Sequence, residues 1–133
     1  MVTYWDTSAL LALLFEEVHS ARAKAANDQT DYFLAWRWIE VEARLGTGRR
    51  NANPIQLDFL DRWLSNAEYA NFPEDDYPVL IDLGLRHKLR AADAGHLHSL
   101  LQVRRLYPEI VFVCFDEALT AAAKVERVEV WEG

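Results

Sequence analysis

The sequence predicts an α/β fold: a three-layer α/β/α sandwich with a mostly parallel central sheet, spanning residues 1–133 as a single domain. Three observations carry the α/β assignment. Short branched or aromatic runs, VTYW and YFLA, alternate with longer helical segments, the order that builds strand–helix–strand crossovers. The run IVFVCF at 110–115 is apolar without interruption, as a strand covered by helices on both faces requires. Of 133 residues, 51% are apolar and 26% charged, with five Gly and four Pro, which is enough to bury a core and too apolar for disorder.

The elements follow in order. VTYW (2–5) is a strand, and residues 8–15 form a helix that Thr7 or Ser8 can cap. A second helix fits 17–27 and is broken by the polar stretch 27–31. YFLA (32–35) is the next strand. A helix over 37–50 follows, with Arg49 and Arg50 at the negative end of its dipole. NANP (51–54) breaks the chain before a helix at 55–64. Residues 66–76 are irregular or hold one short strand. Residues 77–88 are helical, with Gly84 weakening the last turns. The longest helix, 90–107, stops before Pro108. After the strand at 110–115, ALTAAAKV is helical and VEVW is a last strand.

Composition also excludes function classes. ALLALLF is interrupted by Glu16, Glu17 and His19, so neither a signal peptide nor a membrane span is expected, and a cytoplasmic location is. Cys114 is the sole cysteine. No internal disulfide can form, and within its apolar run Cys114 reads as a small buried hydrophobe. The net charge of −7 argues against broad electrostatic capture of nucleic acid. The charge is uneven, with five Arg/Lys against one acid over 84–108 and five acids without a base over 63–83. That pattern is either a basic ridge beside an acidic surface or a solvated helix face.

Four carboxylates draw attention. Asp6 and Asp116 each follow an apolar strand and precede a helix, which in a parallel sheet puts both at the C-terminal edge, where ligands bind. Either residue alone also reads as an N-cap. Asp93, in LRAADAGHL, lies near the start of the longest helix among small neighbours, where it also complements the helix dipole. Glu40 and Glu42 are two apart on one helix and point in different directions. With Trp36, Ile39 and Ala43 facing inward, Glu40 is the preferred member, and a surface ion pair with Arg44 is its alternative. Carboxylates gathered without a cation repel one another. All-oxygen ligation suits Mg2+ or Mn2+ completed by water, and such an ion can activate water against a phosphodiester. No zinc-ligand spacing is present among His19, His87, His96, His98 and Cys114, and there is no GxGxxG, Walker A or GxSxG motif. His96, three residues after Asp93, reads as a packing or supporting residue.

The stretches YWDTSALLALLF, WRWIEVEARLGTGRR, LRAADAGHLHSLLQV and FVCFDEALTAAAKVERVEV resemble, in order and over almost the whole chain, the PIN-domain family, and within it the VapC toxins of type II toxin–antitoxin systems. The resemblance implies a PIN-like sandwich and a metal-dependent endoribonuclease cutting structured RNA such as tRNA or rRNA. It implies Mg2+, with Mn2+ as substitute, held by Asp6, Glu40, Asp93 and Asp116 as catalytic and metal-binding residues. Thr7 or Ser8 matches the hydroxyl that supports the first aspartate. The implied partners are the RNA substrate, a cognate VapB-like antitoxin and a second copy in a homodimer, with no membrane. Arg44, Arg49, Arg50, Arg86, Lys88 and Arg90 are the expected phosphate contacts. A catalytically inactive protein-binding module and a DNA-directed nuclease are the competing expectations. Gly95 stands where the family pattern has Ala, and Trp5, Trp36 and Trp38 are bulkier than its usual aliphatics.

Overall fold

A computed structural model describes residues 1–133. The strands β1 (Val2–Trp5), β2 (Tyr32–Trp36), β3 (Glu68–Ala70), β4 (Val111–Val113) and β5 (Glu129–Val130) form one sheet in the order β3-β2-β1-β4-β5. Every pairing is parallel, so the sheet is wholly parallel. The helices are α1 (Thr7–Leu14), α2 (Ser20–Gln29), α3 (Ile39–Arg49), α4 (Pro54–Asn66), α5 (Tyr77–His87), α6 (Ala91–Arg104) and α7 (Glu117–Val125).

Side-chain alternation along the strands divides the core in two. Tyr4 lies in register with Leu34 and Phe112. This row packs against Leu97 and Leu100 of α6 and Leu119 of α7. One residue on, Trp5 lies in register with Ala35 and Val113 and packs on the other face against Leu10, Ile39, Leu60 and Trp63. Helices therefore cover both faces, and the expected three-layer α/β/α sandwich is present. Trp5 is fully buried, and its indole N–H donates to Thr3 Oγ1 at 2.7 Å, two residues back on the same face. The bulky side chain thus brings no unsatisfied donor into the core.

Several boundaries shift for identifiable reasons. The second helix begins at Ser20 rather than at 17, because Ser20 Oγ accepts from Glu17 N–H and donates to Phe15 O, which fixes residues 15–20 as a turn. The third helix begins at Ile39, since Arg37 N–H is still donated to Ala70 O, extending the β2–β3 ladder. The α4 start carries a reciprocal capping box between Asn53 and Gln56, with Pro54 in the first turn, as such ends favour. No helix is long and apolar enough to cross a membrane.

Candidate active site

The strand order reverses direction between β1 and β4: from β1 the chain moves outward to β2 and β3, then returns to the other side of β1. In open parallel sheets the crevice at such a switch point, outside the carboxyl ends of the strands, is where ligands are bound. Asp6 follows β1 and Asp116 lies three residues beyond the end of β4, so the crevice carries a carboxylate on each wall. Both residues cap helices as well. Asp6 Oδ1 accepts from Ala9 N–H at 3.2 Å and from Ser8 Oγ at 2.7 Å. Asp116 Oδ1 accepts from Leu119 N–H at 2.8 Å. Capping and site placement are therefore not alternatives, because each cap engages only Oδ1 of the carboxylate.

Asp6 is only 4% exposed. Burial pushes its carboxyl above the ordinary range, and the His96 charge and the Ser8 hydrogen bond only partly oppose this. Asp93, in the first turn of α6, is also pushed up, first by burial and then by the charges of Asp116 and Asp6, with Glu42 adding to them. These repulsions place Asp93 within the electrostatic reach of the other three acids.

The glutamate in this group is Glu42. Its Oε1 accepts from Thr7 Oγ1 at 2.9 Å and lies 2.6 Å from His96 Nε2. Burial opposes its ionisation, but the hydrogen bond and charge of His96 and the Thr7 hydroxyl outweigh it and hold the carboxyl below its ordinary value. Glu40, the glutamate preferred from the sequence, faces elsewhere. It pairs with Arg37 at 3.0 Å and Arg44 at 3.2 Å, and Arg44 in turn reaches Asp61 at 3.0 Å. The structure thus brings Glu42, rather than the expected Glu40, beside Thr7 and His96. A signal for this was present: Glu40 has arginines three residues before and four after it, whereas Glu42 has no cation three or four residues away on either side, and a carboxylate without such local partners is free to pair elsewhere.

Ser8 and Thr7 divide the supporting role expected of one hydroxyl: Ser8 holds Asp6 and Thr7 holds Glu42. Trp36 was not expected here, yet its ring meets the His96 ring edge-on at 5.2 Å and 89°. Cys114 is 2% exposed, and burial pushes its thiol far up, so it is the inert core residue anticipated.

The donor set suits a hard divalent cation in one specific manner. It is all carboxylate oxygen, the choice of Mg2+, Mn2+ or Ca2+, and Asp93 makes no ion pair to offset its acidic neighbours. No three His, Cys, Asp or Glu side chains are drawn close enough to grip one ion together. An ion here would be held directly by at most one or two of these carboxylates, with the others reached through water, a mode that Mg2+ tolerates.

The raised carboxyls carry a stability consequence. A group whose folded pKa lies above its unfolded value supports folding at low pH and loses that support as pH rises through the folded pKa. Asp6 and Asp93 therefore oppose folding of the chelator-treated protein at neutral pH, while Glu42, held low, supports it there. Asp93→Asn is expected to raise the melting temperature in EDTA at pH 7 by a few degrees, with the gain vanishing below the ordinary carboxylate range. Calorimetric melts at several pH values check this; an unchanged or lowered Tm at pH 7 would remove the repulsion argument.

The chain is 31% identical, over 92% of its length and 89% of theirs, to two curated Mycobacterium tuberculosis proteins named ribonuclease VapC45 and ribonuclease VapC49. Among solved structures it resembles PAE2754 from Pyrobaculum aerophilum, with a TM-score of 0.61 and 20% identity over 99% of this chain and 93% of that one. It also resembles FitAcB from Neisseria gonorrhoeae, with a TM-score of 0.65 and 18% identity over 99% and 97%. At these identities the structural likeness speaks for the fold. No family model matches the chain. The full-length relationship to the two curated proteins and the shared α/β/α sandwich place this chain in the PIN-domain family, among the VapC-type ribonucleases.

Proposed function

We propose that this chain is a Mg2+- or Mn2+-dependent endoribonuclease, the toxin of a type II toxin–antitoxin pair, acting in the cytoplasm on structured RNA such as tRNA or rRNA. The observation that supports the reading is the placement of Asp6 and Asp116 at the β1/β4 switch point, near enough to Asp93 that their charges, after burial and together with Glu42, raise its carboxyl. A divalent ion there supplies charge neutralisation and a more acidic water. Asp6 and Asp116, each fixed by a cap, are its natural direct holders, with Asp93 and Glu42 completing the set directly or through water. Ser8 and Thr7 keep two of these carboxylates from rotating, which is what pre-organises a site before substrate arrives.

Of the arginines and lysines expected to meet phosphates, Arg44, Arg50 and Arg86 are occupied by carboxylates. Arg49, Lys88 and Arg90 are without such partners and are the better candidates. The homodimer reading is supported by two exposed apolar rows, Trp38, Val41 and Leu45 along α3 and Tyr77, Ile81 and Leu85 along α5, at spacings that keep each row on one helix face. Val41 and Tyr77 border the same cleft, so the two rows adjoin. The VapB-like antitoxin rests on family resemblance.

The deciding experiment is cleavage of total RNA by antitoxin-free protein in Mg2+, Mn2+ or EDTA, with fragment ends sequenced. Discrete cuts leaving 5′-phosphates, present with metal and abolished by EDTA, are expected. Absence of cuts together with absence of Mn2+ binding by calorimetry would overturn the enzyme reading in favour of a protein-binding module. Cutting of DNA but not RNA would redirect it to a DNA nuclease.

A further inference from the structure

Beyond β4 the chain runs through Cys114 and Phe115 to Asp116, and Phe115 forms one wall of a cleft of about 390 Å³. The other walls come from the start of α2, from α7 and from the segment after β5, through His19, Arg22, Lys124 and Trp131. The wall is continuous with the acid cluster: Phe115 N–H donates to Ser8 Oγ at 3.1 Å, and Ser8 donates to Asp6 at 2.7 Å. A ligand in this cleft would therefore lie against the residue adjoining Asp116.

The cleft combines flat walls with a cation whose valence is unmet. The His19 ring stacks on Phe115 at 4.7 Å and 10°, and the Arg22 guanidinium sits 5.0 Å from the Phe115 ring centre. Trp131 donates its indole N–H to Arg22 O at 2.9 Å, which fixes this ring to α2. Arg22 has no carboxylate partner. Its Nε is buried without an acceptor, and its Nη1 meets only His19 Nδ1, at 3.2 Å. A guanidinium charge left without a carboxylate partner is costly, and an anionic oxygen in the cleft would offset it. Flat rings beside a phosphate-seeking guanidinium form the combination that holds single-stranded nucleotides.

Charge narrows the ligand further. Glu117 and Glu132 stand on the same rim, Lys124 is already paired to Glu132 at 3.1 Å, and the chain as a whole is at −7. This cleft is therefore a poor collector of free anions, and its phosphate has to arrive on something already held next door. We propose that it holds one nucleotide of the single-stranded RNA adjoining the cleaved phosphodiester, with the phosphate on Arg22 and the base against Trp131. The assignment rests on the ribonuclease reading and names a substrate subsite for it.

The test uses full-length Asp6→Asn protein, so that bound RNA is not consumed, titrated with a short oligouridylate while the five tryptophan indole N–H signals are followed by NMR. Trp131→Phe identifies the relevant signal. The Trp131 signal is expected to shift. Adding Arg22→Ala is expected to weaken binding about tenfold and to reduce the slope of log affinity against log salt by about 1. Arg22→Lys should recover part of the affinity. Mn2+ binding to Arg22→Ala made in the wild-type background should match that of wild type, and unshifted signals from the four other indoles in the free variant would show the fold intact. A silent Trp131 signal, unchanged affinity and slope in Arg22→Ala, no oligonucleotide binding at all, or binding only of a peptide partner overturns the subsite. If these occur while wild-type protein still cuts RNA with metal, the nuclease reading survives; if wild-type protein neither cuts RNA nor binds Mn2+, that reading fails first.

Discussion

Glu42→Gln is expected to reduce RNA cleavage about a hundredfold, in line with losing a metal-site carboxylate or its close partner, whereas Glu40→Gln stays within about twofold because it loosens only an exposed ion pair. The two residues sit on the same helix, two positions apart, so the comparison holds fold, helix propensity and side-chain size nearly constant. Glutamine at 42 can still accept from Thr7 Oγ1, which now approaches Oε1 at 2.9 Å, so the local packing has a route to survive. What it removes is the negative charge that lies 2.6 Å from His96 Nε2 and adds to the repulsion on Asp93. Glu40 instead ties Arg37 and Arg44 across the helix surface. Initial cleavage rates at saturating metal, with Mn2+ affinity by calorimetry, distinguish the two. Full activity in Glu42→Gln with loss in Glu40→Gln would return the role to the residue preferred from the sequence.

Gly95→Ala should destabilise the protein by about 2 kcal/mol, even though alanine gains about 1 kcal/mol over glycine in a helix interior. A Cβ at position 95 would lie 2.3 Å from Trp36 Cη2 and 2.4 Å from Cζ3, well inside contact distance. The ring cannot simply step aside, because it is stacked on Phe72 at 5.3 Å and 20° and meets His96 edge-on. Overpacking typically costs about 1–3 kcal/mol, and an approach this close takes the upper end, which leaves about 2 kcal/mol after the gain in helix propensity. The net loss corresponds to a fall in Tm of roughly 5–10 °C for a domain of this size. In a Trp36→Leu background the sign should reverse, with Gly95→Ala now stabilising, since the clash is gone and propensity remains. A double-mutant cycle by thermal and urea melts measures the coupling, and additive effects would disprove the contact. The glycine where the family pattern has alanine and the tryptophan where it has an aliphatic are thus two halves of one packing solution. Because Trp36 touches the ring that holds Glu42, Gly95→Ala should also slow cleavage in protein that remains folded.

Much of the architecture was legible from local pattern. Short branched or aromatic runs marked the strands, the uninterrupted run at 110–115 marked a doubly covered one, and aspartates at two strand ends marked the edge where ligands bind in such sheets. These features are local because hydrogen-bond periodicity and burial act on neighbouring residues. Cap chemistry was equally local, and Asp6 and Asp116 both cap the helices that follow their strands.

The glutamate was not legible in this way. The buried stripe of α3 comprises Ile39, Ala43, Gly46 and Thr47. At about 100° per residue, Glu40 and Glu42 flank that stripe on opposite sides at similar angles. Helix periodicity fixes which face is buried but is blind to which flank meets the strand ends. Here α1 and α6 decided it by bringing Thr7 and His96 to the Glu42 side, while arginines took the Glu40 side. The Trp36–Gly95 contact escaped for the same reason, since it joins residues from β2 and α6 that no spacing rule relates. What the sequence determined by itself was the order of elements and the sheet edge at which Asp6 and Asp116 lie, because those follow from short-range pattern and capping. Only tertiary packing turned Glu42 rather than Glu40 toward Thr7 and His96 and matched Trp36 to a missing Cβ, because both depend on how helices far apart in the chain rotate against one sheet.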